Sequence, residues 1–219
     1  DKVVRLNPNH DAAHVLGGRM TTEVPKALKH FGKAIELNPR NPDAYYFRGL
    51  VREATGDVPG AIEDYGTIID EIHPGYTDAY LRRGGIMLTR GLDKLAMQDF
   101  DTVVERWPTR KTKVDYQLGS VRYAQGRFEE AIPYLEAFLR VVPDDRGAEK
   151  MLGIAYVNVG QLPAGNERLQ HVLENDPSDV ESRYYLALAC RALAEQAESN
   201  EQRSDLLAQA VSHFQEIVN

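Results

Sequence analysis

The sequence predicts an all-α protein, a solenoid of stacked antiparallel helix pairs, on three observations. Proline closes an apolar helical pattern at Pro8, Pro39, Pro74, Pro108, Pro143 and Pro177, at spacings of 31 to 35 residues. Within each period a small residue sits mid-way along a first apolar segment: Gly17, Gly49, Gly84, Gly119, Gly153 and Ala187. A second small residue opens a second apolar segment at Ala27, Ala61, Ala96, Ala131, Gly165 and Ala210, with a large side chain four positions on at Phe31, Tyr65, Phe100, Leu135, Leu169 and Phe214. A self-similar period of this length marks units that cannot bury their apolar faces alone and must stack on their neighbours.

Each part of the period has a physical reason. Gly56, Gly91, Gly126 and Gly160 follow the mid-helix glycines and supply the left-handed conformation that stops a helix. Pro25, Pro59 and Pro163 stand where the second helix begins, a place that needs no backbone donor. The paired small residues let the helices approach closely around the large ring, and the closing proline ends the second helix. The chain therefore reads as one array, 1–219, with the end of an upstream repeat at 1–9 and repeats at about 10–41, 42–76, 77–111, 112–145, 146–179 and 180–219.

Three departures stand out. Ten residues separate Gly17 from Ala27 where twelve are usual, so the first turn must be rebuilt around "MTTEVPKAL", Met20 to Leu28. Pro133 falls inside a second helix, which predicts a late start or a bend. In the last repeat 23 residues separate Ala187 from Ala210, and the surplus reads as an extension of both helices around Ser199 and Asn200. A first helix is missing before residue 9 and a closing proline after Phe214, so a fragment of a longer array is expected.

Composition narrows the function classes. The net charge is −7 and the pI near 5.4, so the global field repels phosphate backbones and anionic lipid. Nucleic acid and membrane insertion are not expected, and no apolar run approaches the roughly 20 residues that cross a bilayer. Cys190 is the only cysteine, which excludes an intrachain disulfide framework. A cytoplasmic location fits, although a secreted or periplasmic protein needs no disulfide either.

No phosphate loop, dinucleotide fingerprint, nucleophile elbow, HExxH or paired CxxC occurs, so neither an enzyme nor a cofactor is expected. The nearest metal-like feature is His10 and His14, four apart in "HDAAH", but two imidazoles do not complete a site and no metal is assigned. Cys190 lies in the apolar stretch "YYLALACRAL" and reads as a packed small hydrophobe. Arg106, Arg110, Lys111 and Lys113 surround Trp107, a pattern read as a solvated turn or a docking point for an acidic partner.

The whole chain resembles the tetratricopeptide repeat family. Tyr80, Gly84, Met87, Gly91, Ala96, Phe100 and Pro108 fall on its signature, and Leu152, Gly153, Tyr156, Gly160 and Pro177 repeat it, with Gly165 where alanine is usual. The resemblance implies a right-handed superhelix whose first helices line a concave face. The family's groove-facing positions fall on Tyr46, Leu50, Leu81, Leu88, Tyr116, Tyr123, Lys150, Ile154, Val157, Asn158, Tyr184 and Leu188. An apolar, tyrosine-rich track there reads as a surface for a protein or peptide partner. The carboxylate clamp of the family's chaperone-tail binders is missing, since Tyr46, Phe47, Leu81, Gly85, Tyr116 and Ser120 occupy its places. The expected function is thus a protein–protein interaction scaffold. The alternatives are a self-assembling module that stacks end to end into a homo-oligomer, or a regulatory or substrate-docking arm of a larger enzyme. In "PDAYYFRGL" the phase predicts that Tyr45 is buried against Gly49 while Tyr46 faces the groove.

Overall fold

A computed structural model describes residues 7–218; the expected tail of an upstream repeat lies largely outside the described residues. Twelve α-helices and no strand are found among them. The chain divides into two compact units, one running to Thr109 and one starting at Arg110.

The first unit holds α1 (Asp11–Met20), α2 (Val24–Leu37), α3 (Pro42–Ala54), α4 (Val58–Thr67), α5 (Thr77–Thr89) and α6 (Asp93–Arg106). The second holds α7 (Lys111–Ala124), α8 (Phe128–Leu139), α9 (Arg146–Asn158), α10 (Leu162–Asn175), α11 (Val180–Gln196) and α12 (Asn200–Val218). Helices pack as the predicted pairs, α1 on α2 through α11 on α12. A wide turn over Ile68–Ile72 prolongs α4, with the His73 N–H reaching back to the Ile68 carbonyl at 2.7 Å.

Local chemistry explains the boundaries. Asn41, Asp57, Asp145 and Asp179 cap α3, α4, α9 and α11, each side chain accepting from a backbone N–H three residues on. The four predicted turn glycines are the four residues with positive φ among the described residues, from 72° to 84°. A side chain there would be strained, which is why the first helices of these repeats stop where they do. Ser199 accepts from the Gln202 N–H and starts α12 in the lengthened last hairpin.

The small-to-large contact also holds. A Cβ on Gly49 would lie 2.7 Å from the Tyr65 ring, and one on Gly119 2.8 Å from Leu135, so only glycine permits the approach. Tyr65, Phe100, Leu135 and Leu169 are fully buried, whereas Phe214 is half-buried. In the first unit Val15, Ala27, Phe31, Ala34 and Ala44 form a core; in the second, one cluster centres on Leu135 and Leu152 and another on Ile154, Leu169 and Leu186.

Three expectations are corrected. Gly18, not Gly17, meets the Phe31 ring, because the shortened first turn shifts the phase by one residue. Pro133 does not delay α8, which starts at Phe128, as far beyond its turn glycine as α4, α6 and α10. Tyr45 is not buried: Tyr65 fills the space at Gly49, and Tyr45 sits half-buried under the Arg48 guanidinium, 5.4 Å away.

Candidate functional site

In the second unit the first helices α7, α9 and α11 lie side by side. This follows from the stacking of hairpins and places one face of three helices in register. Tyr116 on α7 and Tyr184 on α11 occupy equivalent positions and are large exposed aromatics, at 38% and 46% of their full surface. Neither ring is loose. Tyr116 leans on Phe138 at 4.9 Å, and Tyr184 meets Tyr185 at 5.5 Å and Phe214 at 6.1 Å. Rings held this way lose little rotamer freedom when a partner covers them.

Between them on α9 lies Lys150, whose Nζ donates to Asp179 and Glu181, each at 2.8 Å. Burial would lower the Lys150 pKa, but the two hydrogen bonds win and raise it. Burial of Asp179 would likewise raise its pKa, and the Lys150 and Ser182 hydrogen bonds outweigh that and lower it. The pair thus ties α9 to the start of α11. Tyr123 lies near this group: burial first, then the Glu181 charge, pushes its hydroxyl up to about 12, so it stays a neutral donor. Val157 and Leu188 are half-buried, and exposed Asn158 donates to the Ile154 carbonyl at 2.8 Å.

Other assigned residues are placed differently. Leu81, Leu88 and Ile154 are buried and present no surface to a partner. Ile154 belongs to the core with Leu169, Leu186 and Cys190, because packing of adjacent hairpins closes over its side of α9. In the first unit Leu50 and Tyr46 are half-buried. The Tyr46 ring meets Phe47, Tyr65 and Tyr76 at 5.4, 5.9 and 5.2 Å, and Arg82 hydrogen-bonds its hydroxyl. Sequence reasoning missed Asp179 and Glu181 as the partners of Lys150. Their signal was the acidic helix start "PSDVE" one repeat on.

The catalytic and metal features resolve into structure. His14 is buried, donates through Nε2 to the Pro8 carbonyl at 2.9 Å, and faces His30 rather than His10. Among the described residues no group of three or more His, Cys, Asp or Glu is placed to hold a metal ion. Burial raises the Cys190 pKa and keeps the thiol inert. Lys111 is held by Asp115 at 2.7 Å, and Trp107 packs near Tyr80. No helix among the described residues is long and apolar enough to cross a membrane.

Family models agree with the repeat geometry: residues 23–56 match a TPR repeat and residues 122–190 a tetratricopeptide repeat. The chain belongs to the tetratricopeptide repeat family. Over 226 aligned residues it is 23% identical to tetratricopeptide repeat protein 16 of Homo sapiens, covering 95% of this chain and 23% of that protein. It therefore spans about a quarter of the length of the curated relatives it matches. Among solved structures, the C-terminal part of a TPR repeat-containing protein from Cytophaga hutchinsonii superposes with a TM-score of 0.72 at 21% identity, covering 93% of this chain and 77% of that one. YrrB, described as a TPR protein with an unusual peptide-binding site, superposes at 0.64 with 22% identity, covering 85% and 93%. These likenesses establish the fold. Tetratricopeptide repeat proteins are in general non-enzymatic scaffolds for protein–protein interaction.

Proposed function

We propose that this tetratricopeptide repeat protein holds a peptide or helical segment of a partner protein against the face of α7, α9 and α11. The observation that carries the reading is the pair Tyr116 and Tyr184, exposed at equivalent positions on two first helices and each fixed by aromatic neighbours. Amphipathic rings of this kind give contact area and a hydroxyl at low entropic cost. Val157 and Leu188 add apolar contact between them, and Asn158 and Tyr123 add polar groups. Lys150 is held by both Asp179 and Glu181, so it offers no free cation there, which suits a peptide read by its side-chain shape and not by an acidic group.

The test is a displayed library of linear peptides selected on the wild-type chain, followed by fluorescence anisotropy with the enriched sequences. Tyr116→Ala and Tyr184→Ala should each weaken binding by about 1–3 kcal/mol while leaving the chain folded. Wild-type affinity in both variants overturns the assignment.

One observation favours a second reading, end-to-end self-association. Leu207, Val211 and Val218 form an exposed apolar stripe along α12, spaced to share one helix face. Sedimentation velocity showing a monomer at every concentration removes this reading.

A further inference from the structure

The first helix pair lacks a piece that the others have. α3, α5, α7 and α9 each run five residues beyond the glycine that meets the second helix, whereas α1 ends at Met20, two beyond Gly18. Three residues are missing, about 4.5 Å or most of one helical turn. Where the other repeats place Arg52, Met87, Arg122 and Tyr156, three positions after the glycine, this one has Thr21 in extended backbone. The space left open is a cavity of about 380 Å³, walled by Phe31, Phe47, Val51 and Ala54, with Arg19 and Thr22 also lining it.

Arg19 is exposed and lies 4.4 Å from the centre of the Phe47 ring. It has no carboxylate partner among the described residues. The acid of the same turn, Glu23, is already neutralised by Lys26 at 2.5 Å. The site therefore joins apolar walls to a guanidinium that no carboxylate pairs among the described residues.

We propose that this cavity is a peptide pocket that takes one large apolar side chain while Arg19 receives a carboxylate adjacent to that side chain in the peptide. Size decides what can enter: the volume lies at the lower end of the roughly 300–1,000 Å³ typical of ligand pockets. A packed helix, about 10–12 Å across with its side chains, is too wide. Charge decides the neighbour. A guanidinium already stacked on an aromatic face keeps its planar fork free for a carboxylate, and no acid of the turn competes. The pocket belongs to α1–α3 and stands independently of the tyrosine face on α7–α11.

The test is a ¹H–¹⁵N titration of the whole chain with a capped, glycine-flanked peptide carrying Phe next to Asp, compared with analogues in which Phe becomes Ala or Asp becomes Asn. The Phe–Asp peptide should shift amides in 18–24 and 47–55, and the Ala analogue should not. The Asn analogue should bind wild type about fivefold more weakly, and this difference should vanish in Arg19→Gln. Ala54→Phe fills the cavity from an exposed position and should abolish the shifts, while Tyr116→Ala should leave them intact. Four results overturn the proposal: no shift in those segments at millimolar peptide; shifts that survive Ala54→Phe; equal affinity for the Asp and Asn peptides; or the same amides shifting with protein concentration alone, which assigns the cavity to a second copy of the chain.

Discussion

The Arg48 guanidinium on α3 grips the Asp64 carboxylate on α4 through Nε at 3.0 Å and Nη2 at 2.6 Å, and Arg52 adds a third contact at 3.0 Å. Asp64 is 1% exposed, so the carboxylate is cut off from water and depends on these donors. Arg83 and Asp99 repeat the arrangement on α5 and α6, at 2.9 and 2.8 Å. Each pair sits beside a close glycine–aromatic contact, and it fixes the rotation of one helix against the other where side-chain bulk is least.

Removing one partner of such a pair strands the other. Asp64→Ala should destabilise the chain by about 3–5 kcal/mol in urea unfolding, because Arg48 is left partly buried without its acid. The double variant Arg48→Met with Asp64→Leu should recover most of that loss, since Arg52 keeps Asp57 at 3.4 Å. A loss below about 1 kcal/mol for Asp64→Ala would show that water reaches the pair.

The pairs also show what the sequence hid. The turn glycines and the small-to-large contacts were readable because each is a steric requirement on a few neighbouring residues. The ion pairs were readable too, since Arg-Gly and Asp-aromatic recur in phase at Arg48-Gly49 with Asp64-Tyr65 and at Arg83-Gly84 with Asp99-Phe100. Of the residues assigned to the groove face, Tyr116 and Tyr184 are exposed, whereas Leu81, Leu88 and Ile154 are buried. Repeat phase says which way a residue points along its own helix, whereas burial depends on how closely the neighbouring hairpins shut over it.

Two helical glycines should respond in opposite directions to the same change. Gly32 lies within α2 with nothing within 4 Å of an added Cβ, so Gly32→Ala should stabilise by about 0.5–1 kcal/mol through helix propensity. At Gly49 the added methyl would meet the Tyr65 ring, so Gly49→Ala should lose about 1–3 kcal/mol to overpacking. Thermal unfolding of both variants checks the contact geometry, and a stabilising Gly49→Ala would contradict it.

The adjacent rings of α3 should divide their work in the reverse of the sequence expectation. Tyr46 stands among Phe47, Tyr65 and Tyr76 and is bound by Arg82, whereas Tyr45 has one contact with Arg48 among the aromatic and cation–ring contacts. Tyr46→Ala should therefore cost about 2–4 kcal/mol of stability and Tyr45→Ala about 1 kcal/mol or less. Equal losses in chemical denaturation would mean that the aromatic cluster contributes nothing beyond burial.

Acid should loosen the first repeat at one identifiable carboxylate. Asp11 opens α1, and its Oδ2 accepts from the side-chain amides of Asn38 at 2.7 Å and Asn41 at 2.8 Å. The Asn38 bond first and the Asn41 bond second hold the Asp11 carboxyl below its ordinary 3.8. Asn41 uses its other amide atom, Oδ1, to cap α3 through the Ala44 N–H, so the same carboxylate orients the cap of the next repeat. As pH falls, the unfolded chain takes up the Asp11 proton before the folded chain does. The stabilisation is therefore complete above the ordinary carboxylate value and is lost as pH drops through the lowered folded one. Compared with Asp11→Ala, wild type should be more stable by about 1 kcal/mol from pH 7 to about pH 5, and the gap should close between about pH 4 and pH 2. Urea midpoints of the two proteins across that range measure it; a gap that persists at the acid end would show that Asp11 acts through packing and not through its charge.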